Sequence, residues 1–196
     1  MNKSAPQKMT FANKVSIFRI LSVPFFIATI LYYQPTRDYL RFVALAIFFL
    51  AIISDALDGY LARVLQQKTK AGSILDPLAD KVLLSASFIF IHLKDNFPDG
   101  INLPLWLVII VISRDLLIFF GAVVIYLIRN ELILSPSKWG KYTTCFQMLT
   151  IVSVLVQNHL TGTIAIITAV FTILSGLDYL KKGLRVLYVS DLRPTV

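Results

Sequence analysis

The sequence predicts an all-α integral membrane protein with six transmembrane helices around a polar cavity that faces the cytoplasm. The first observation is composition: 57% of the 196 residues are hydrophobic and 15% are charged, whereas a soluble domain has about 45–50% and about 25%. The second is six long apolar runs, each close to the length that crosses a bilayer. The third is the uneven distribution of positive charge between alternate loops.

The apolar runs give each helix in order along the chain. A basic segment, residues 1–14, precedes them and can form a short interfacial helix, and residues 15–188 form the membrane domain before a tail at 189–196. Cys145 is the only cysteine, which excludes an intrachain disulfide, and its apolar surroundings indicate a small buried residue. Helices are predicted at Val15–Tyr33, Tyr39–Leu61, Leu75–Leu93, Leu103–Ile128, Tyr142–Val156 and Thr163–Tyr179.

Positive charge sets the orientation of these helices. With the N-terminus inside, 15 of the 19 lysines and arginines fall in cytoplasmic segments, 3 fall outside, and Arg114 lies within the fourth span. Cytoplasmic loops of membrane proteins carry this excess, so both termini are predicted in the cytoplasm. A model with five or seven helices would break the alternation. The net charge of +8 fits anionic headgroups or phosphate-bearing substrates.

Four aspartates mark a candidate site at the cytoplasmic ends of the second and third helices. Asp55 and Asp58 are three residues apart, and Asp76 and Asp80 are four apart, so each pair shares a helix face. Carboxylates near hydrocarbon are costly and usually functional. Oxygen ligands suit hard divalent cations, and a pair of such ions can assist displacement at phosphorus. The pattern therefore predicts a metal site, although single membrane aspartates also serve packing or line an ion path in a transporter.

The segment between the aspartate pairs has the composition of a phosphate-binding loop. Arg63 and the loop residues Lys68, Thr69 and Lys70 can contact phosphate oxygens. Gly59 and Gly72 lack side chains and let a ligand approach the backbone.

These residues together resemble the signature of the CDP-alcohol phosphatidyltransferase family. The run is Asp55-x2-Asp58-Gly59-x2-Ala62-Arg63-x8-Gly72-x3-Asp76-x3-Asp80, with every defining position filled. The resemblance implies transfer of a phosphatidyl or related group from a CDP-linked donor to an alcohol, with release of CMP. It also implies a homodimer in a bacterial cytoplasmic membrane, with the active site facing the cytoplasm.

The resemblance assigns roles to the residues of the signature. Asp55, Asp58, Asp76 and Asp80 are expected to bind Mg²⁺ or Mn²⁺, and Asp80 is expected to act as the base on the acceptor hydroxyl. Contacts to the CDP donor are expected from Asn13, Arg19, Asp55, Gly59, Ala62, Arg63, Thr69 and Gly72.

Three further runs bear on the acceptor alcohol. Asn13-x2-Ser16-x2-Arg19, Gly140-Lys141-x2-Thr144-x2-Gln147-Met148 and the last helix resemble the bacterial branch of the family that makes phosphatidylglycerophosphate from CDP-diacylglycerol and glycerol 3-phosphate. Arg114 in the fourth span can bind an anionic acceptor, or can form a neutral structural pair with Asp115. Lys138 and Lys141 near a helix N-terminus suit a phosphate, or can be positive-inside anchors.

One departure from that branch leaves the acceptor open. Arg114-Asp115 stands where those synthases carry Arg-Glu, and this version looks closer to the cardiolipin synthases of the same family, whose acceptor is phosphatidylglycerol. An inositol-phosphate transferase is a third reading within the family. A metal or proton transporter is the alternative from another class, and CMP release would separate it from all three.

Overall fold

The computed structural model describes the backbone of residues 11–64, 72–94, 97, 101–129 and 138–191. Within these helices, the side chains at 11–16, 55–64, 72–80, 125–126, 128–129 and 184–191 lie outside the described part. The predicted phosphate-binding loop with Lys68, Thr69 and Lys70 also lies outside the described residues.

The described residues form six α-helices and a short 3₁₀ helix, and they contain no strand. The helices are α1 (Phe11–Tyr32), α2 (Tyr39–Val64), α3 (Gly72–Leu93), α4 (Leu105–Arg129), α5 (Lys138–Val156) and α6 (Thr161–Asp191), with the 3₁₀ helix at Pro35–Arg37. Each apolar run of the sequence overlaps one of these helices, so the all-α class is confirmed.

Most helix boundaries differ from the predicted ones by a few residues, and the end of α6 differs most. Helix α5 begins at Lys138 rather than at Tyr142, and α6 continues to Asp191 rather than ending at Tyr179. Hydropathy marks the apolar middle of a helix, whereas the backbone hydrogen bonds continue into polar turns. Lys182, inside this polar extension of α6, pairs through Nζ with Oδ2 of Asp178 one turn earlier, at 2.8 Å.

The chain divides into two compact units, Met1–Asn96 and Phe97–Val196. In the first unit, α1 packs against both α2 and α3. Phe26 of α1 meets Phe48 of α2 with ring centroids 5.9 Å apart, and the fully buried alanines Ala44 and Ala51 flank Phe48 on the same face. Small residues seven apart let two helices approach closely, which is a common way of packing helices in membranes.

In the second unit, α6 packs against both α4 and α5, and hydroxyl groups join α5 to α6. Thr150 and Thr168 share a hydrogen bond of 2.7 Å between their Oγ1 atoms, and Ser153 and Thr161 do the same at 2.7 Å. Such buried hydroxyls hold helices together without exposing unpaired polar groups. Cys145 is exposed, contrary to the interpretation from sequence, because it lies on the side of α5 opposite this seam.

The turn between α5 and α6 has a left-handed residue. Gln157 has φ 57°, the one non-glycine residue with positive φ in the described part of the chain. Its N–H donates to the carbonyl of Val154 at 2.9 Å, and Asn158 N–H donates to the carbonyl of Ser153 at 2.9 Å. This is the Schellman pattern that satisfies the last carbonyls of a helix.

Among the residues that the structure describes, two helical stretches, Leu105–Val124 and Thr161–Gly183, are long and apolar enough to cross a membrane. Only 22% and 33% of their residues are buried, so neither resembles the core helix of a soluble protein. Shorter apolar stretches lie at Ile17–Tyr32, Tyr39–Ser54 and Lys81–Leu93. Six spans and cytoplasmic termini stay predictions.

Candidate active site

The four aspartates of the signature lie in helices of the first unit. Asp55 and Asp58 fall in the last three turns of α2, and Asp76 and Asp80 fall in the first three turns of α3. Their predicted helical positions therefore hold, while their side chains are outside the described part. Among the side chains that the structure describes, no three His, Cys, Asp or Glu residues come together as a metal site requires.

Most residues predicted to contact the CDP donor lie in the first three helices. Gly59, Ala62 and Arg63 lie in α2, Gly72 is the first residue of α3, and Asn13 lies in the first turn of α1. The side chains at these positions lie outside the described part of the chain.

Arg19 is the one predicted donor contact whose side chain is described. It is 1% exposed, on a helix that packs against both aspartate-bearing helices. The hydroxyl of Ser22 donates a hydrogen bond to the Arg19 carbonyl at 2.7 Å. A buried guanidinium requires compensating negative charge, so its unit must supply anionic or acceptor groups to it.

Arg114 forms the centre of a polar cluster in the second unit. Its Nη1 donates to Asp115 Oδ1 at 2.7 Å, and its Nη2 donates to Ser175 Oγ of α6 at 2.7 Å. The guanidinium lies 5.9 Å from the ring centroid of Tyr179. The side chain is 6% exposed, and its Nε has no hydrogen-bond partner in the described structure. The predicted pair with Asp115 therefore forms, and the Nε–H of the cation is left available as a donor.

The first turn of α5 lies against this cluster at Gly140. A Cβ added at Gly140 would stand 3.3 Å from Arg114 Nη2 and 3.8 Å from Ser175 Oγ. Only glycine therefore leaves the guanidinium its present place beside the start of α5. The first N–H groups of a helix have no partner within the helix and favour anions.

Lys138 and Lys141 lie in this same first turn, with exposed side chains. The sequence placed them near a helix N-terminus, and the structure agrees. Together with Arg114 they give this end of the second unit three positive charges near the start of α5.

The sequence argument did not single out the residues that hold Arg114 in place. Ser175 and Tyr179 are four apart on α6, so they share the face that meets Arg114. Two polar residues at this spacing inside an apolar helix are the signal that could have found them. Gly140 opens one of the runs that resemble the bacterial branch, but its contact with Arg114 could not be read from the sequence, because that contact depends on the approach of another helix.

Comparison with known proteins shows which family the chain belongs to. The family model described as CDP-alcohol phosphatidyltransferase matches residues 9–174. A CDP-diacylglycerol–glycerol-3-phosphate 3-phosphatidyltransferase of Aquifex aeolicus is 33% identical over 188 residues, which cover 92% of this chain and 99% of the relative.

Two further relatives are similar over most of their length. A protein of the same name from Haemophilus influenzae is 36% identical over 172 residues, covering 85% of this chain and 89% of the relative. A probable phosphatidylglycerophosphate synthase of Mycobacterium tuberculosis is 30% identical over 182 residues, covering 89% and 81%. The resemblance in the sequence is confirmed: the chain belongs to the CDP-alcohol phosphatidyltransferase family and is an enzyme of that class.

Proposed function

We propose that the enzyme transfers a phosphatidyl group from CDP-diacylglycerol to glycerol 3-phosphate, giving phosphatidylglycerophosphate and CMP. The names of the similar Aquifex and Haemophilus proteins state this donor, this acceptor and this reaction. The observation in the structure that carries the proposal is Arg114, a buried cation with a spare donor beside the start of a helix. A small phosphorylated acceptor supplies the anionic oxygen that this donor lacks.

The aspartates are proposed to hold the donor through a divalent cation. Two carboxylates near the end of α2 and two near the start of α3, in helices that both pack on α1, would supply the all-oxygen ligands that Mg²⁺ or Mn²⁺ prefers. Asp55, Asp58, Asp76 and Asp80 would hold it, and the ion would neutralise charge on the diphosphate when bound. Arg19, Arg63 and the other predicted donor contacts would bind the CDP part.

The proposed chemical step is displacement at the phosphorus that carries the diacylglycerol. A hydroxyl oxygen of the acceptor forms a new P–O bond, and the P–O bond to the CMP phosphate breaks. Asp80 takes the hydroxyl proton, and CMP leaves with the electron pair of the broken bond. This assignment makes Asp80 both a ligand and the base, as the family resemblance implies.

The acceptor phosphate is proposed to bind Arg114, with Lys138 and Lys141 attracting it from solution. Arg114 is anchored by Asp115 and Ser175, so its spare Nε–H is already oriented before a ligand arrives. A preorganised donor loses less entropy on binding than a free side chain does. The exposed lysines suit the encounter step, in which long-range charge raises the association rate.

A cardiolipin synthase is the second candidate, since Arg114-Asp115 resembles that branch of the family. Its acceptor, phosphatidylglycerol, also carries a phosphate and a hydroxyl, so the same cluster could bind it. The transporter reading is set aside, because the chain belongs to an enzyme family.

The proposed location is a bacterial cytoplasmic membrane, with six spans, cytoplasmic termini and an active site open to the cytoplasm. Two apolar helices that could cross a membrane support it, as does the excess of cytoplasmic lysine and arginine predicted by six spans. We also propose a homodimer, from the resemblance alone.

The test is CMP release from CDP-diacylglycerol by purified protein in Mg²⁺ or Mn²⁺, with each acceptor in turn. Release that requires glycerol 3-phosphate supports the proposal, and release that requires phosphatidylglycerol replaces it with cardiolipin synthesis. Omitting the metal and adding a chelator should abolish release, and full activity under chelation would remove the metal from the proposal.

A further inference from the structure

Gln147 is a buried polar side chain that neither the fold nor the proposed chemistry explains. It is 0% exposed in the middle of α5. Neither its Oε1 nor its Nε2 has a hydrogen-bond partner among the residues that the structure describes. Nearly all buried polar groups in native proteins are satisfied, so an amide with both ends unmet requires an explanation.

The polar neighbours of Gln147 on the same face of α5 all have hydrogen-bond partners, as Thr143 and Thr150 show. One turn before it, Thr143 Oγ1 donates to a carbonyl and lies 2.9 Å from those of Trp139 and Phe171. One turn after it, Thr150 Oγ1 bonds Thr168 Oγ1 at 2.7 Å. Gln147 therefore differs from Thr143 and Thr150, which are hydrogen-bonded. Loose packing of this whole face of α5 does not explain why the Gln147 amide has no partner.

The chemistry of the unmet atoms restricts what could bind there. The amide offers N–H donors and a carbonyl acceptor, so its complement must both accept and donate. A phosphate or carboxylate only accepts, and an ammonium only donates. A hydroxyl group does both, and it is the simplest organic group that satisfies the two ends of the amide.

The place of Gln147 relates it to the Arg114 cluster. It follows Gly140, which lies beside the guanidinium, by seven residues. Seven residues are two turns, which put both positions on one face of α5, about 10 Å apart along the axis. The Arg114 Nε also lacks a partner in the described structure. One face of the second unit thus has an unmet cationic donor and, two turns away, an unmet amide.

We infer that Gln147 binds the middle hydroxyl of the acceptor, and so selects a polyol phosphate over a simple phosphorylated alcohol. This inference rests on the proposed function, in which Arg114 takes the phosphate. The attacking hydroxyl gives its proton to the base, so it is not the group held by the amide carbonyl. In glycerol 3-phosphate the remaining group is the hydroxyl on the middle carbon.

The test compares two acceptors that differ only in that hydroxyl. Glycerol 3-phosphate has it, and 3-hydroxypropyl phosphate keeps the phosphate and the primary hydroxyl but lacks it. We expect the wild-type enzyme to prefer glycerol 3-phosphate in kcat/KM by at least about tenfold, because a buried amide left unmet penalises the smaller acceptor. Gln147→Leu should bring the ratio close to one by losing activity with glycerol 3-phosphate.

Thr150→Val is the matched control, since it removes a buried polar group from the same face whose partners are already on the protein. It should retain the wild-type preference. The ratio of two kcat/KM values on one preparation does not depend on the fraction of folded enzyme. The acceptor preference can therefore be measured for a destabilised variant as well.

Each outcome has a separate meaning. A wild-type enzyme without preference, or a Gln147→Leu variant that keeps it, would overturn the role of Gln147 and leave the proposed function standing. A wild-type enzyme that releases no CMP with glycerol 3-phosphate would overturn the proposed function itself. As a readout besides turnover, glycerol 3-phosphate should raise the wild-type Tm, and Gln147→Leu should reduce that shift.

Discussion

Arg114 shows how a single residue can be structural and available for binding at once. Its two Nη atoms are engaged by Asp115 and Ser175, while its Nε is buried without a partner in the described structure. A buried pair with excellent geometry fixes a side chain more than it stabilises a fold. The sequence left a structural pair and a binding residue as alternatives, and the geometry is compatible with both.

Arg114→Lys tests whether Arg114 binds the acceptor phosphate, because the substitution keeps the positive charge. Lysine keeps the positive charge beside Asp115 but loses the Nε–H donor and the planar fork. We expect KM for glycerol 3-phosphate to rise about tenfold, as for a lost charge-assisted hydrogen bond, with KM for the donor unchanged. Steady-state CMP release measures both constants. An equal rise in both KM values would argue that the residue supports the fold alone.

Gly140→Ala asks whether the position of the guanidinium matters. The new Cβ would stand 3.3 Å from Arg114 Nη2, so the guanidinium must shift by a few tenths of an ångström. We expect KM for the acceptor to rise a few fold, since catalysis is sensitive to small misplacements.

Gly121→Ala is the control for this change. An added Cβ at Gly121 meets nothing within 4 Å, and the residue lies inside α4. Replacing a helical glycine there should leave both KM values unchanged. If both alanine variants behave alike, the close approach at Gly140 has no functional meaning.

Asp80→Asn tests the proposed base. The amide keeps the size of the side chain but cannot take a proton, so kcat should fall by about 10²- to 10⁴-fold. Asp38→Asn, in the same unit, replaces a half-exposed carboxylate that pairs with Arg41 and should retain near-normal kcat. Near-normal turnover in Asp80→Asn, with an unchanged Tm, would refute the assignment.

At the scale of the helix, the second unit depends on how α5 ends and how it meets α6. The Schellman turn at Gln157 reverses the chain so that Ser153 of α5 meets Thr161 of α6. The apolar pattern predicted both helices but not the turn, because glutamine has no special preference for a left-handed conformation. The local hydrogen bonds and the packing of α5 on α6 impose it.

Gln157→Val and Gln157→Gly should differ in stability. A β-branched residue at φ 57° is strained, so the valine variant should lose about 1–2 kcal/mol. Glycine adopts this conformation without strain and should stay within about 1 kcal/mol of wild type. Thermal unfolding in detergent, followed by circular dichroism, compares the two. Equal Tm values would show that the turn is not held at positive φ.

At the scale of the whole molecule, the exposed apolar surface is the strongest structural support for a membrane location. Within α4, large side chains such as Leu116, Phe119 and Phe120 are about half exposed. A soluble protein rarely leaves such contiguous apolar surface open to water, whereas lipid covers it at no cost.

Reporter fusions test the predicted topology of the chain. Green fluorescent protein fused at either terminus should fluoresce, and alkaline phosphatase fused there should be inactive, because the positive-inside bias predicts both ends in the cytoplasm. Alkaline phosphatase inserted near Arg37, in the first predicted outside loop, should be active. An odd number of spans would appear as opposite results at the two termini.

By itself, the sequence determined the helical class, the number of helices and the family. Composition and apolar run length report directly on the surrounding solvent, and the spacing of Asp55, Asp58, Asp76 and Asp80 is read along the chain without reference to any other helix. These are local properties: the helical class is confirmed among the described residues, and the family is confirmed by the comparisons.

Only the tertiary structure decided which residues surround Arg114, why Gly140 has no side chain, and that Gln147 is buried with its amide unmet. Each depends on atoms from helices far apart in the chain, such as Arg114 and Ser175, which are 61 residues apart. Periodicity identifies the buried face of one helix, but the contacts of that face depend on how α4, α5 and α6 pack within their unit.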